Sequence, residues 1–88
     1  MSYAYEFSKR AAAQFRRLDV WLAEELLDEL ELLCVNPPHP RIKDPAGVVH
    51  EMIRTRGESK CYVFLTFAVD VSRQLIRINS VGQFVKEA

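Results

Sequence analysis

The residues best suited to chemistry in this chain are His50, Arg54, Arg56, Tyr62 and Arg77, all on stretches of strand composition. Arginine forks grip phosphate oxygens in bidentate geometry, and a tyrosine ring stacks on a base. A histidine titrating near neutrality acts as acid or base toward a ribose hydroxyl and its neighbouring phosphate. Together these types point to work on an RNA backbone, provided the fold brings them to one surface. No metal or cofactor is expected. Cys34 and Cys61 stand alone on different elements, with no partner at metal-ligand spacing, and read as reduced core residues.

The positioning elements are organised around Cys61 to Val69, a nearly unbroken run of β-branched and aromatic residues that reads as a central strand. Val48 to Arg56 and Leu75 to Val81 have strand composition as well. The short polar connections Gly57-Glu58-Ser59 and Asp70 to Gln74 make the three an antiparallel meander. Upstream, Tyr3, Tyr5 and Phe7 alternate as in a half-buried first strand. Ser8 is a candidate N-cap for a helix over Lys9 to Leu18, whose stripe Ala11, Phe15, Leu18 leaves Lys9, Arg10, Arg16 and Arg17 outside. Asp19 is placed to cap a second helix, Val20 to Val35, with the stripe Ala23, Leu26, Leu27, Leu30, Leu33 and Cys34. Trp21, Leu22 and Leu32 lie off that stripe, either widening the buried face or forming a patch for a partner. Asn36 suits a left-handed terminus, and Pro37-Pro38 stops the helix. A proline-punctuated loop from His39 to Gly47 leads to the meander, and Gly82 to Ala88 reads as a short tail. The expected fold is α+β, a single domain over residues 1–88, with both helices on one face of the sheet.

Strand side chains alternate between faces, so the open face follows from parity. Cys61, Val63, Leu65, Phe67 and Val69 form the apolar set and are assigned to the helices, with Ile76 and Ile78. Val49 and Ile53 suit the core better than Arg54, which sends His50, Arg54 and Arg56 outward. The open face then gathers His50, Arg54, Arg56, Tyr62, Thr66, Arg77 and Asn79. A solvent-facing sheet carries polar residues in any case.

Composition excludes several classes. Hydrophobic content of 49% with 27% charged residues is that of an ordinary globular chain. No apolar run approaches the ~20 residues a membrane helix needs. The first residues lack a signal peptide's basic start and apolar run, so a cytoplasmic protein is expected, with no membrane association. Twelve basic residues balance 12 acidic ones, so any polyanion site must come from local segregation of charge.

The layout resembles the RelE/ParE superfamily of bacterial toxins from type II toxin–antitoxin systems. The resemblance runs over nearly the whole chain. It rests on Tyr3-Ala4-Tyr5-Glu6-Phe7-Ser8 leading into a helical pair, on the leucine-rich helix ending Asn36-Pro37, on Tyr62 to Asp70, and on Ile76-Arg77-Ile78-Asn79-Ser80-Val81-Gly82. It implies a cognate antitoxin as partner and one of two activities. RelE-like members cut messenger RNA on the ribosome without metal, driving a 2′-hydroxyl onto the adjacent phosphate; ParE-like members act on DNA gyrase and lack that site. In the RNA-cutting reading, His50, Arg54 and Tyr62 are the catalytic candidates and Arg56, Lys60 and Arg77 the phosphate-binding ones. The pattern departs from the family at Met52, which occupies a site usual for lysine, at Tyr62-Val63, where an arginine is usual, and at Gln83-Phe84, where basic residues often follow the last strand. Those departures motivate the alternative of a ParE-like inhibitor or a toxin fold acting by binding alone.

Overall fold

The computed structural model describes residues 2–37 and 48–87, so the expected loop from His39 to Gly47 lies outside the described residues. The elements run β1 (Ala4–Phe7), α1 (Lys9–Phe15), α2 (Val20–Val35), β2 (Val48–Arg56), β3 (Ser59–Asp70) and β4 (Leu75–Glu87). They form one four-stranded sheet in the order β1-β4-β3-β2, with β1 parallel to β4 and the other pairs antiparallel. The expected α+β architecture is thus the observed one. Ser8 fastens the end of β1 to β4, donating its backbone N–H to the Ile78 carbonyl and its hydroxyl to the Asn79 carbonyl.

Ser8 also accepts from the Ala11 N–H, capping α1 as expected. The helix ends at Phe15 rather than Leu18. There the chain tightens into i→i−3 bonds, Arg17 N–H to the Gln14 carbonyl and Leu18 N–H to the Phe15 carbonyl, which turns Leu18 into the core. In α2, Leu22, Leu26, Leu30 and Cys34 repeat every fourth residue and are buried. Leu22, read as off the stripe, is therefore a central core residue, while Leu32 is exposed and Trp21 partly buried. Asp19 stands at the N-cap without a side-chain bond, and Asn36 closes the helix at φ −134° rather than in the left-handed region.

Helix side chains meet Val63, Leu65, Phe67, Ile76, Ile78 and Val81 from the sheet, with Met52 and Cys61 completing the core. Each large apolar side chain so buried contributes about 1.5–3 kcal/mol relative to exposure. Two features of the strands shape the rest. The first is the two-residue turn Gly57-Glu58 between β2 and β3, where Gly57 sits at φ +62°. Glycine takes that conformation at no steric cost. The second is a bulge in β4 between Ile78 and Ser80: Phe67 pairs with Ile78, Thr66 with Ser80, and Asn79 has no partner opposite. Because of it Ile76 and Ile78 face the helices before the bulge, and Val81, of the other parity, faces them after it. Beyond Val81 the expected tail continues as strand to Glu87, since Gly82 to Glu87 pair in register with Phe64 to Ser59.

Candidate functional site

The strand β2 takes the parity opposite to the one expected. Met52 is buried at 2% exposure, whereas Val49 and Ile53 are 63% and 48% exposed. His50 and Arg54 share the parity of Met52 and so lie on the helix side of the sheet, beside α2. There the Glu29 carboxylate accepts from His50 Nε2 at 3.0 Å and from Arg54 Nη2 at 3.3 Å, while Glu25 accepts from Arg54 Nε at 3.2 Å. Arg54 Nη1 also donates to the Ile53 carbonyl at 2.9 Å. Arg56 sets its guanidinium 5.4 Å from the centre of the Trp21 ring. This is a cation–π contact from the same face of β2 to α2.

The physical reason lies in what α2 offers. Glu25 and Glu29 are one helical turn apart and project together, so they supply acids to the cations that run beneath them. Long basic side chains lay their apolar stems over the core edge and keep their heads paired and partly wet. Hydrophobicity alone favoured Val49 and Ile53 for the interior; the observed parity buries Met52 instead and sets His50 and Arg54 against the acids of α2. The expectation that His50, Arg54 and Arg56 join Tyr62 on the open face is corrected accordingly.

The open face holds a different set. Lys60 of β3 stands directly opposite Lys86 of β4, and Tyr62 opposite Phe84. Tyr62 lies nearly parallel to Phe64, centroids 6.4 Å apart, and 6.1 Å from Phe84. Ile53 is opposite Tyr62 on the β2 side and Glu51 opposite Phe64. At the sheet end Glu58, Lys60, Tyr62, Lys86 and Glu87 surround a recess of about 190 Å³. Among the described residues neither lysine reaches a carboxylate within ion-pair distance. Like charges directly opposite each other destabilise an antiparallel pair; here both lysines are exposed to solvent, and Glu58 and Glu87 line the same recess.

Arg77 does not join them. It pairs with Glu6 at 3.0 Å near the other end of β4. It faces Ala68, eight residues along β3 from Lys60. At the rise of a strand that separation is about 27 Å. Thr66 and Ser80 share a hydrogen bond midway along the open face. Of the residues singled out from sequence, then, Lys60 and Tyr62 come together; His50, Arg54 and Arg56 assemble on the opposite face; Arg77 is remote from both. Phe84 and Lys86, read as tail residues, belong to the Lys60 cluster. Their alternation with Gly82 was the available signal, hidden because the bulge at Asn79 shifts the phase.

Two groups outside the cluster titrate away from their ordinary values. Asp70 is held below the usual carboxylate range by the Ser72 hydroxyl, which donates to it at 2.6 Å, and by the Arg73 N–H at 3.1 Å. Both bonds favour its charged form. The Cys34 thiol is pushed up by burial and, second, by the charge of Glu31. Cys34 and Cys61 are both free and buried, as their isolation in the sequence predicts.

The architecture is RelE-like in fold. A chain of the intact E. coli RelBE toxin–antitoxin complex superposes with a TM-score of 0.69 at 20% identity, over 92% of this chain and 95% of that one. A variant of E. coli RelE in the free state gives 0.69 at 21% identity, over 93% and 83%. The Mycobacterium tuberculosis RelBE2 toxin–antitoxin complex gives 0.63 at 16% identity, over 96% and 93%. No family model and no curated protein matches the sequence. The likeness is one of fold, carried by element order and sheet topology more than by residues. Among the described residues no helix is long and apolar enough to cross a membrane.

Proposed function

We propose that this chain is the toxin of a toxin–antitoxin pair, neutralised by a cognate antitoxin, and that it acts on messenger RNA at the ribosome through the open face of its sheet. The fold supports the toxin class, since two of the solved structures it resembles are toxin–antitoxin complexes. The observation that carries the RNA reading is the opposed pair Lys60 and Lys86 beside Tyr62 and Phe84. The ammonium groups neutralise consecutive phosphates, and the two rings stack on the bases between them. Tyr62, whose phenol can donate to a phosphate oxygen, is the catalytic candidate that stands at this cluster. His50 and Arg54 act instead as positioning residues that hold β2 to α2, Arg56 clasps Trp21, and Arg77 ties β4 to β1.

A second reading has its own observation. No imidazole or guanidinium stands beside Lys60 and Lys86 on the open face among the described residues, which favours a toxin that binds its target without cutting RNA, as a gyrase-directed member would.

Controlled expression in bacteria, with growth followed and messenger RNA ends mapped, separates the two. New ends within translated regions, lost in Lys60→Ala/Lys86→Ala and kept in His50→Ala, support the nuclease. Growth arrest with intact RNA moves the target to gyrase or another bound partner. Absence of arrest in the wild type, with the protein folded and abundant, overturns the toxin reading itself.

A further inference from the structure

We propose that the cavity between β1 and the last turns of α2 binds a small organic cation, an apolar body carrying one ammonium group. This goes beyond the RNA reading. The cavity lies at the β1 edge of the sheet, with β4 and β3 between it and β2. It uses none of Lys60, Tyr62, Phe84 or Lys86, so it stands or falls independently of that reading.

The walls come from two periodicities. Tyr3 and Tyr5 are two residues apart in extended chain and so point to the same side, where both pack against the core. Glu31, Cys34 and Val35 are spaced i, i+3, i+4 and share one face of α2. With Ser2 and Ala4 they line a cavity of about 490 Å³, inside the range of about 300–1,000 Å³ typical of small-molecule sites. The two walls are fastened to each other. Tyr3 donates its N–H to the Cys34 carbonyl at 2.8 Å, using one of the acceptors that the end of a helix leaves open. Ala4 donates to the Gln74 carbonyl at 3.0 Å, which ties the same stretch to the start of β4. The Tyr5 ring stands edge-on to Phe7, centroids 5.9 Å apart, and Phe7 leans on Phe15 at 5.1 Å. The walls are therefore set before any ligand arrives, and binding carries little ordering cost.

The lining selects the ligand. The two rings, Ala4 and Val35 offer apolar surface, and Val35, at 71% exposure, stands at the mouth. The one charge in the lining is Glu31, which is exposed and, among the described residues, makes no ion pair. Its field reaches the wall: after burial, it is the second cause that pushes the Cys34 thiol up. An apolar body covers the rings and Val35, while its ammonium group gains twice, from the Glu31 carboxylate and from the face of a tyrosine ring. An anion of the same shape meets Glu31 with no lining cation to answer it. A neutral analogue has the apolar contacts alone.

The test is titration of the ¹⁵N-labelled full chain with phenethylammonium, with phenethyl alcohol and with hydrocinnamate, followed by amide shifts. Phenethylammonium should move the amides of Tyr3, Tyr5, Cys34 and Val35 and bind about tenfold more tightly than hydrocinnamate, with the alcohol between them. Glu31 and Val35 are both exposed, so their variants should keep the fold. Glu31→Gln should bring phenethylammonium down toward the alcohol, and Val35→Lys, which sets a cation at the mouth, should reverse the preference between cation and anion. Absence of shifts at these amides with millimolar phenethylammonium, equal binding of cation and anion, or a preference unchanged in Glu31→Gln would each overturn the proposal.

Discussion

The two faces of the sheet both carry cations and treat them in opposite ways. Beneath α2, the Arg54 guanidinium and the His50 imidazole share the carboxylates of Glu25 and Glu29. On the open side, Lys60 and Lys86 are set against each other, with no carboxylate of the described residues at bonding distance. Ionic groups answered from within serve to fix the helix on the strand. Those without an ion-pair partner on the open face are the ones on which the RNA reading rests. Residue type alone would have ranked them the other way, since a histidine with an arginine looks more catalytic than two lysines.

Substitutions that set one face against the other test this division. The largest effect is expected from packing: Phe67→Ala, at a fully buried position under the helices, should cost about 3–5 kcal/mol in denaturant unfolding. Phe64→Ala, on the open face and 38% exposed, should cost well under half as much. Equal losses would mean that the open face is covered in solution. Next, Glu29→Ala removes the shared acceptor of His50 and Arg54. Because these groups are partly exposed, the loss should be about 1 kcal/mol, and it should shrink in high salt. Lys60→Ala/Lys86→Ala should leave stability within about 0.5 kcal/mol of the wild type, or raise it slightly by relieving repulsion, while nucleic-acid binding falls. A marked destabilisation would show that the lysines hold the sheet together.

The smallest effect concerns Asp70, where β3 turns toward β4. Its folded carboxyl titrates below the ordinary aspartate value, so its contribution is present at neutral pH and is lost as pH falls through the folded value. Asp70→Asn should therefore lower the melting temperature slightly at neutral pH and remove part of the fall below about pH 4. A wild-type and a variant curve that stay parallel down to acid pH would contradict this.

Most of the fold was legible because the local signals agreed with one another. The bounds of α2 and β2, the Ser8 cap, the two hairpin connections and the inward faces of β3 and early β4 followed from period, capping and turn chemistry. The candidate site was legible only in part. β2 offers Val49 and Ile53 on one parity against Met52, His50 and Arg54 on the other, and a rule that sends the more apolar set inward chooses the wrong one. The missing information is long-range: the acids of α2 that pair with β2 are more than twenty residues away in sequence. Late β4 was lost for a local reason, because an extra residue breaks the two-residue period by which Phe84 and Lys86 would have been assigned.

That extra residue also decides which length changes the gene can tolerate. Asn79 faces no partner, and the residues on either side of it, Ile78 and Ser80, already pair with neighbours on β3. Losing the codon for Asn79 would heal the ladder and leave Val81 inward and Phe84 and Lys86 outward. Losing the codon for Gly82 would transpose every later side chain to the opposite face and carry Lys86 away from Lys60. A single-codon deletion scan along β4 should thus find a tolerant position at the bulge, flanked by intolerant ones.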